Sequence, residues 1–318
     1  MSFEAETLEH YITLFDSGFT PQGLALHASL RRHAGEFTLW VLCMDEKVKA
    51  SLDRLNEPTI RTVALAEVET PELLAVKPGR SRAEYCWTLT PFTPDIVFSR
   101  SPDARRATYI DADVYLMKSP APIFEEFERS GKAVLITDHA YDPEYDQSAS
   151  SGQFCVQFIT FQRDVSRPVL SWWQDKCIEW CFARIEDGKF GDQRYLDEWP
   201  TRFGSLVHIL QQLDVMLAPW NARRFPYSGA IAWHFHGLRL LPNDKVLLHS
   251  YYVVPACVDR YVYEPYVGQL KKSLDLLGEK VIQAGGPTAV YRLKRVVRNV
   301  LRALRNVGPN SIIARLPQ

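Results

Sequence analysis

No stretch of the 318 residues approaches the roughly 18 consecutive apolar residues that a membrane-spanning helix needs. The six cysteines, at 43, 86, 155, 177, 181 and 257, form no CxxC pair and no zinc-ribbon spacing. Charge of one sign is not in excess: 37 basic residues meet 38 acidic ones, for a net charge of −1. A generally basic nucleic-acid binder is thereby excluded. Internal repeats and low-complexity segments are absent. With 46% apolar and 24% charged residues, the composition is that of a globular chain and neither a disordered nor a collagen-like one. The opening Met1-Ser2-Phe3-Glu4-Ala5-Glu6 is acidic, and no apolar signal core follows it. The expectation is a soluble, cytoplasmic protein in a reducing compartment, with Cys177 and Cys181 as buried free thiols.

The length suits two domains or one large α/β domain. Apolar strand-like runs alternate with helical patterns through the front half. Tyr11–Phe15, Phe37–Cys43, Ile60–Leu65 and Ala107–Ile110 read as strands. Leu24–His33 and Asp45–Leu55 read as helices, the first after a Thr20-Pro21 start signal. Ala83–Phe98 reads as helical, with interruptions at Pro91 and Pro94. Continuous β-branched strands alternating with helices predict a mainly parallel sheet covered on both faces. Further along, Ala133–Thr137 and Cys155–Phe161 read as strands. Val165–Ile185 reads as one long helix whose Trp172, Trp173, Ile178 and Trp180 belong to the core.

One strand ends in chemistry. Tyr109-Ile110-Asp111-Ala112-Asp113-Val114 places two aspartates one residue apart just past a strand. Ligands of α/β sheets bind at the carboxyl ends of strands, and residues i and i+2 of extended chain point to one side. Two hard oxygen ligands there suit Mg²⁺ or Mn²⁺ holding a diphosphate. A solvated turn is the bland alternative, since Asp is common at strand ends.

The segment 107–116, Ala-Thr-Tyr-Ile-Asp-Ala-Asp-Val-Tyr-Leu, resembles the Asp-x-Asp strand end of GT-A fold glycosyltransferases. It is most similar to the family-eight group, which contains glycogenins and lipooligosaccharide galactosyltransferases. Motifs in matching order run from about residue 10 to 250. The resemblance implies an α/β GT-A domain over 1–268, with a mostly parallel sheet flanked by helices, and a helical tail over 269–318. It implies transfer of a sugar from a nucleotide diphosphate, most simply UDP, to a hydroxyl acceptor, with anomeric retention. Asp111, Asp113 and His234 would hold Mn²⁺ or Mg²⁺, with His236 and His249 as rival ligands. Phe15, Asp16, Ser17 and Gly18 would receive the nucleoside. Asp111, Ala112, Asp113, Gly237 and Arg239 would face the diphosphate. Asp192 and Gln193 would address the sugar as catalytic residues, although an Asp at 192 also fits a helix N-cap.

The sequence also departs from the pattern. Where family-eight members carry Asn-x-Gly, this chain has Cys155 and Gln157, and the arginine of the preceding helix is missing near Tyr85–Leu89, leaving Thr88 and Thr90. Two other readings stay open. A sugar nucleotidyltransferase would share fold and metal but normally shows a basic, Gly-rich phosphate loop, and no Lys or Arg precedes Arg31. A non-catalytic binding or scaffold protein would need no metal.

From Lys280 to the end there are eight basic residues and no acidic one, leaving the remainder at −9. Over 287–306, Leu293, Val296, Val297, Val300, Leu301 and Leu304 recur at helical spacing, with Arg292, Arg295, Arg298, Arg302 and Arg305 between them. The expectation is a basic amphipathic helix on an anionic membrane surface, placing the protein peripherally on the inner face. The expected partners are a nucleotide sugar and a surface or lipid-linked glycan acceptor, and no nucleic acid. A helix docked on the acidic body is the alternative.

Overall fold

The computed structural model describes residues 8–250, 252–278 and 313–317. The expected amphipathic helix at 287–306 lies outside them. The described residues contain thirteen strands: β1 (Glu9–Phe15), β2 (Phe37–Cys43), β3 (Ile60–Ala64), β4 (Arg106–Ile110), β5 (Val114–Leu116), β6 (Val134–Asp138), β7 (Phe154–Gln162), β8 (Val207–Ile209), β9 (Met216–Leu217), β10 (Ala232–His234), β11 (Arg239–Leu241), β12 (Lys245–Leu247) and β13 (Ile313–Arg315).

Seven of them form the central sheet in the order β3-β2-β1-β4-β7-β6-β8. All neighbours are parallel except at β7, which runs antiparallel to both β4 and β6. The expected mostly parallel α/β sheet is present. The chain winds outward from β1 to β3, then returns to place β4 on the other side of β1. That reversal opens a crevice at the carboxyl ends of β1 and β4, the usual ligand position in open α/β sheets.

Burial on both faces explains the continuous apolar strands. Along β2, Trp40 and Leu42 join one core with Trp173 and Trp199, while Phe37, Leu39, Val41 and Cys43 join the other with Leu24, Leu30 and Phe124. Helices cover both faces, and their prolines lie where the missing N–H does no harm. Pro21, Pro94 and Pro168 fall in the first turns of helices Thr20–His33, Thr93–Arg100 and Arg167–Glu179. Trp173 and Trp180 are buried, Trp172 packs half-buried against the core, and all six cysteines are unpaired.

The long helix expected over 165–185 is shorter. It spans Arg167–Glu179, and Trp180 is already extended. The chain then makes a tight turn bridged between Glu186 and Lys189, with Asp187 and Gly188 both at positive φ. Asp-Gly is a strong signal for that turn, which lies just beyond the span expected to be helical.

Two small sheets complete the body. β5 pairs antiparallel with β10, which pairs parallel with β9. β11, β12 and β13 form an antiparallel sheet, so the end of the chain returns to the body, with Leu316 buried beside Leu240 and Val246. Helix Glu264–Leu277 packs its Tyr266, Leu270 and Leu274 into the same cluster. No helix among the described residues is long and apolar enough to cross a membrane.

Candidate active site

The crevice between β1 and β4 is a cavity of about 360 Å³. Phe15 and Asp16 line it from β1, and Tyr109, Asp111, Ala112 and Asp113 from β4. Phe19, Arg82, Cys86, Trp87 and Thr90 are among the residues that form the other walls. Ser17, Gly18, Gly237 and Arg239 are not lining residues.

Asp111 and Asp113 follow β4 directly, and β5 begins at Val114. β10 pairs with β5 so that His234 lies opposite Val114, and the Phe235 N–H donates to the Asp113 carbonyl at 2.9 Å. This pairing delivers a histidine from far along the chain to the aspartates. His234 Nε2 is 3.1 Å from Asp113 Oδ1 and 3.8 Å from Asp111 Oδ2. Ligand atoms of the three side chains lie within 4.8 Å of one another, and this is the one such group among the described residues. The side chains are 29%, 16% and 8% exposed for Asp111, Asp113 and His234, and the two aspartates line the cavity.

The electrostatics fit a cation site. Burial raises Asp111, and the neighbouring Asp113 charge adds to it, outweighing the pull of His234. Burial also works against ionised Asp113, but His234 brings its carboxyl down to about 2. Burial alone would lower His234; the Asp113 and Asp111 carboxylates instead hold it well above the usual histidine range. A proton thus sits where two acids and an imidazole converge, and a divalent cation would replace it. Two carboxylate oxygens and one imidazole nitrogen suit Mn²⁺ or Mg²⁺.

The rival ligands stand elsewhere. His249 Nε2 pairs with the Asp259 carboxylate, 3.1 Å from Oδ1, and its Nδ1 faces the Tyr252 carbonyl at 2.9 Å. His236 is exposed, its ring centroid 5.7 Å from that of His234, and it is outside the ligand group.

Asp16 is more committed than a free base-reading carboxylate. Its Oδ1 accepts from the Gly18 N–H at 2.9 Å, and its Oδ2 takes Arg82 Nη1 at 3.1 Å. Arg82 Nη1 also reaches Asp45 Oδ2 at 3.3 Å, and the Ser17 N–H donates to that same oxygen at 3.0 Å. Arg82 escaped the reading of the sequence, which looked for an arginine near Tyr85–Leu89. It opens helix Arg82–Leu89 one turn earlier and lines the cavity. Thr90 lines the cavity as well, whereas Thr88 is buried and bonds the Glu84 carbonyl. Gly237 turns the chain at φ +80° between β10 and β11. Arg239 holds its guanidinium 5.9 Å from the centre of the Phe19 ring and helps to lower Asp113.

Asp192 stands at the start of the 3-10 helix Gln193–Glu198, yet its side chain makes no capping hydrogen bond. It is buried instead, with its carbonyl held by Trp173 Nε1–H at 2.9 Å. Burial, then the Asp111 charge, push its carboxyl up to about 8. Gln193 turns away in part: its Nε2 donates to the Ser151 carbonyl at 2.7 Å.

Two supporting side chains were missed from sequence. The Tyr109 hydroxyl donates to Asp111 Oδ1 at 2.8 Å. Gln157, buried in β7, presents Oε1 to His234 Nδ1 at 2.9 Å. Cys155, two residues earlier, lies against His139 and His234; burial raises its thiol, but the imidazoles bring it down to about 7.

No family model matches this sequence. The uncharacterized protein YfnD of Bacillus subtilis (strain 168) is 30% identical over 286 residues, which is 84% of this chain and 90% of YfnD. The galactosyltransferase LgtC, solved with donor and acceptor sugar analogs, superposes at a TM-score of 0.52 with 13% identity, over 90% of this chain and 99% of LgtC. Mouse xyloside xylosyltransferase 1, in its apo form, superposes at 0.50 with 14% identity, over 73% of this chain and 98% of that one. The likeness to LgtC and to the xylosyltransferase is one of fold, and it bears out the expected GT-A architecture. With the relationship to YfnD spanning most of both chains, this protein belongs to the YfnD family and has the GT-A fold.

Proposed function

We propose that this protein is a metal-dependent glycosyltransferase. It moves a sugar from a nucleotide diphosphate sugar, UDP-linked in the simplest case, to a hydroxyl on a surface or lipid-linked glycan. The observation that carries this reading is the convergence of Asp111, Asp113 and His234 beside a cavity of about 360 Å³ that the two aspartates line, at the carboxyl ends of β1 and β4. The likeness of fold to the galactosyltransferase LgtC and to xyloside xylosyltransferase 1 supports it by analogy.

In this reading Asp111, Asp113 and His234 hold Mn²⁺ or Mg²⁺. The bound cation supplies Lewis-acid stabilisation of the departing diphosphate. Arg239 adds positive charge on the same side. Phe15, Asp16, Ser17 and Gly18 shape the nucleoside end, and Arg82 presents a guanidinium there. Gly237 lets the chain turn close to the phosphates. The bond from the anomeric carbon to the diphosphate oxygen breaks with its electron pair going to that oxygen, a bond to the acceptor oxygen forms, and the acceptor's proton passes to the departing diphosphate. Asp192 and Gln193 bind the sugar. A carboxyl that titrates near 8 is mostly protonated at pH 7, so Asp192 donates a hydrogen bond to a sugar hydroxyl in preference to neutralising a cation. Retention of configuration belongs to the reading through the family-eight resemblance. Contact of 287–306 with an anionic inner membrane face rests on the sequence pattern alone.

The test is a thermal-shift panel of nucleoside diphosphates and nucleotide sugars with and without Mn²⁺. A ligand at 100 times its Kd stabilises the native state by about 2.7 kcal/mol, readily detected. The expected result is a shift with one nucleotide that requires Mn²⁺ and vanishes in Asp113→Ala, together with release of nucleoside diphosphate when a glycan acceptor is added. Absence of any shift in folded protein would transfer the reading to a scaffold role.

A further inference from the structure

Gln157 lies in the middle of β7, 1% exposed, and it touches two members of the Asp111–Asp113–His234 cluster at once. Its main-chain carbonyl accepts the Asp111 N–H at 3.1 Å. Its side-chain Oε1 stands 2.9 Å from His234 Nδ1. The resembled enzymes carry the glycine of Asn-x-Gly at this place in the strand, and a glycine has no side chain with which to do this.

An imidazole can hold a cation only through an unprotonated nitrogen. Nε2 is the nitrogen facing the carboxylates, 3.1 Å from Asp113 Oδ1. An amide oxygen at Nδ1 can only accept, so it keeps a proton on Nδ1 and reserves the Nε2 lone pair for a cation. The opposite amide orientation would present N–H to Nδ1, move the ring proton to Nε2, and block the cation position. The orientation with oxygen on the histidine leaves Gln157 Nε2 buried with no hydrogen-bond partner. A residue present for packing alone gains nothing from an unpaired buried amide, and an apolar side chain would serve better.

We propose that Gln157 is the positioning residue of the metal centre. It fixes the tautomer and ring plane of His234 and, through its carbonyl, the exit of Asp111 from β4. This rests on the metal-dependent reading above.

Mn²⁺ binding, read by loss of the free-ion EPR signal on the full chain, tests it without any assay of activity. Gln157→Met keeps the volume and removes the acceptor; it should weaken Mn²⁺ binding by about 10- to 100-fold. Gln157→Asn, too short to reach His234, should weaken it similarly and serves if the Met variant is misfolded by circular dichroism. Gln157→Glu restores an acceptor at the same reach and should bind Mn²⁺ at least as tightly as the native chain. The inference is overturned if the Met or Asn variant binds within twofold of native. It is also overturned if the Glu variant is as weak as the Met one, since packing would then be the cause. Failure of the native chain to bind Mn²⁺, with or without a nucleoside diphosphate, would overturn both this inference and the proposed function.

Discussion

Asp192 offers a direct way to test the electrostatics of the site. It is 5% exposed, it lies within the field of Asp111, and its carboxyl is pushed up to about 8. An aspartate in the unfolded chain titrates near 3.8. Between those values the unfolded chain releases a proton that the native chain keeps. Native stability therefore falls as pH rises through this window and levels off above about 8. Each pKa unit corresponds to about 1.4 kcal/mol, so the full penalty above pH 8 is on the order of 5 kcal/mol, and the part between pH 6 and 9 is about 3 kcal/mol. Asp192→Asn keeps the shape, cannot ionise, and escapes the penalty. Urea unfolding of both proteins in EDTA, at steps from pH 5 to 9, measures the difference. The variant should gain about 3 kcal/mol relative to native across the upper part of the range. Parallel curves would refute the claim that Asp192 is buried as a neutral acid. A gain of Asp192→Asn over native that grew toward low pH, and not toward high pH, would contradict the sign itself.

Other outcomes follow from the packing. Trp173 is fully buried between Phe161 and Trp199, with ring centroids at 6.2 and 5.3 Å, and it also holds the Asp192 carbonyl. Trp173→Ala should cost about 3–5 kcal/mol in urea unfolding, while Trp173→Phe keeps most of the packing and loses the bond to Asp192. A Cβ at Gly23 would come within 2.4 Å of the Phe15 ring, a cavity wall, so Gly23→Ala should destabilise by about 1–3 kcal/mol despite the better helix propensity of alanine. Its nucleoside diphosphate affinity, measured by calorimetry, should fall as Phe15 is displaced. Arg82→Ala removes an exposed guanidinium from Asp16 and Asp45, at 3.1 and 3.3 Å. Stability should change by less than about 1 kcal/mol, while nucleotide affinity falls, as the same titration would record.

Local signals were strong enough in the sequence to carry much of the fold. Continuous apolar runs identified β1, β2 and β4, because a strand buried on both faces needs no alternation, whereas edge strand β3 carries an exposed Arg61. Asp111 and Asp113 were legible because period-two geometry at a strand end is a property of neighbouring residues. The end of the helix at Glu179 was not legible, since apolar residues continue at helical spacing through Trp180 although the chain is extended there. The direction of β7 was not legible, since a strand's residues do not encode which neighbour it will pair with. The choice among His234, His236 and His249 was likewise closed to sequence. It depends on the antiparallel register of β5 and β10, which sets His234 against Asp113 while Asp259 occupies His249. Gln157 and Tyr109 looked like ordinary strand residues, and their roles arise only where β4, β7 and β10 converge. The sequence by itself determined which residues could be ligands and which strand would carry them. Tertiary structure decided which of them meet, because a cation site needs oxygen and nitrogen atoms within a few ångströms, and only long-range strand pairing brings distant segments that close.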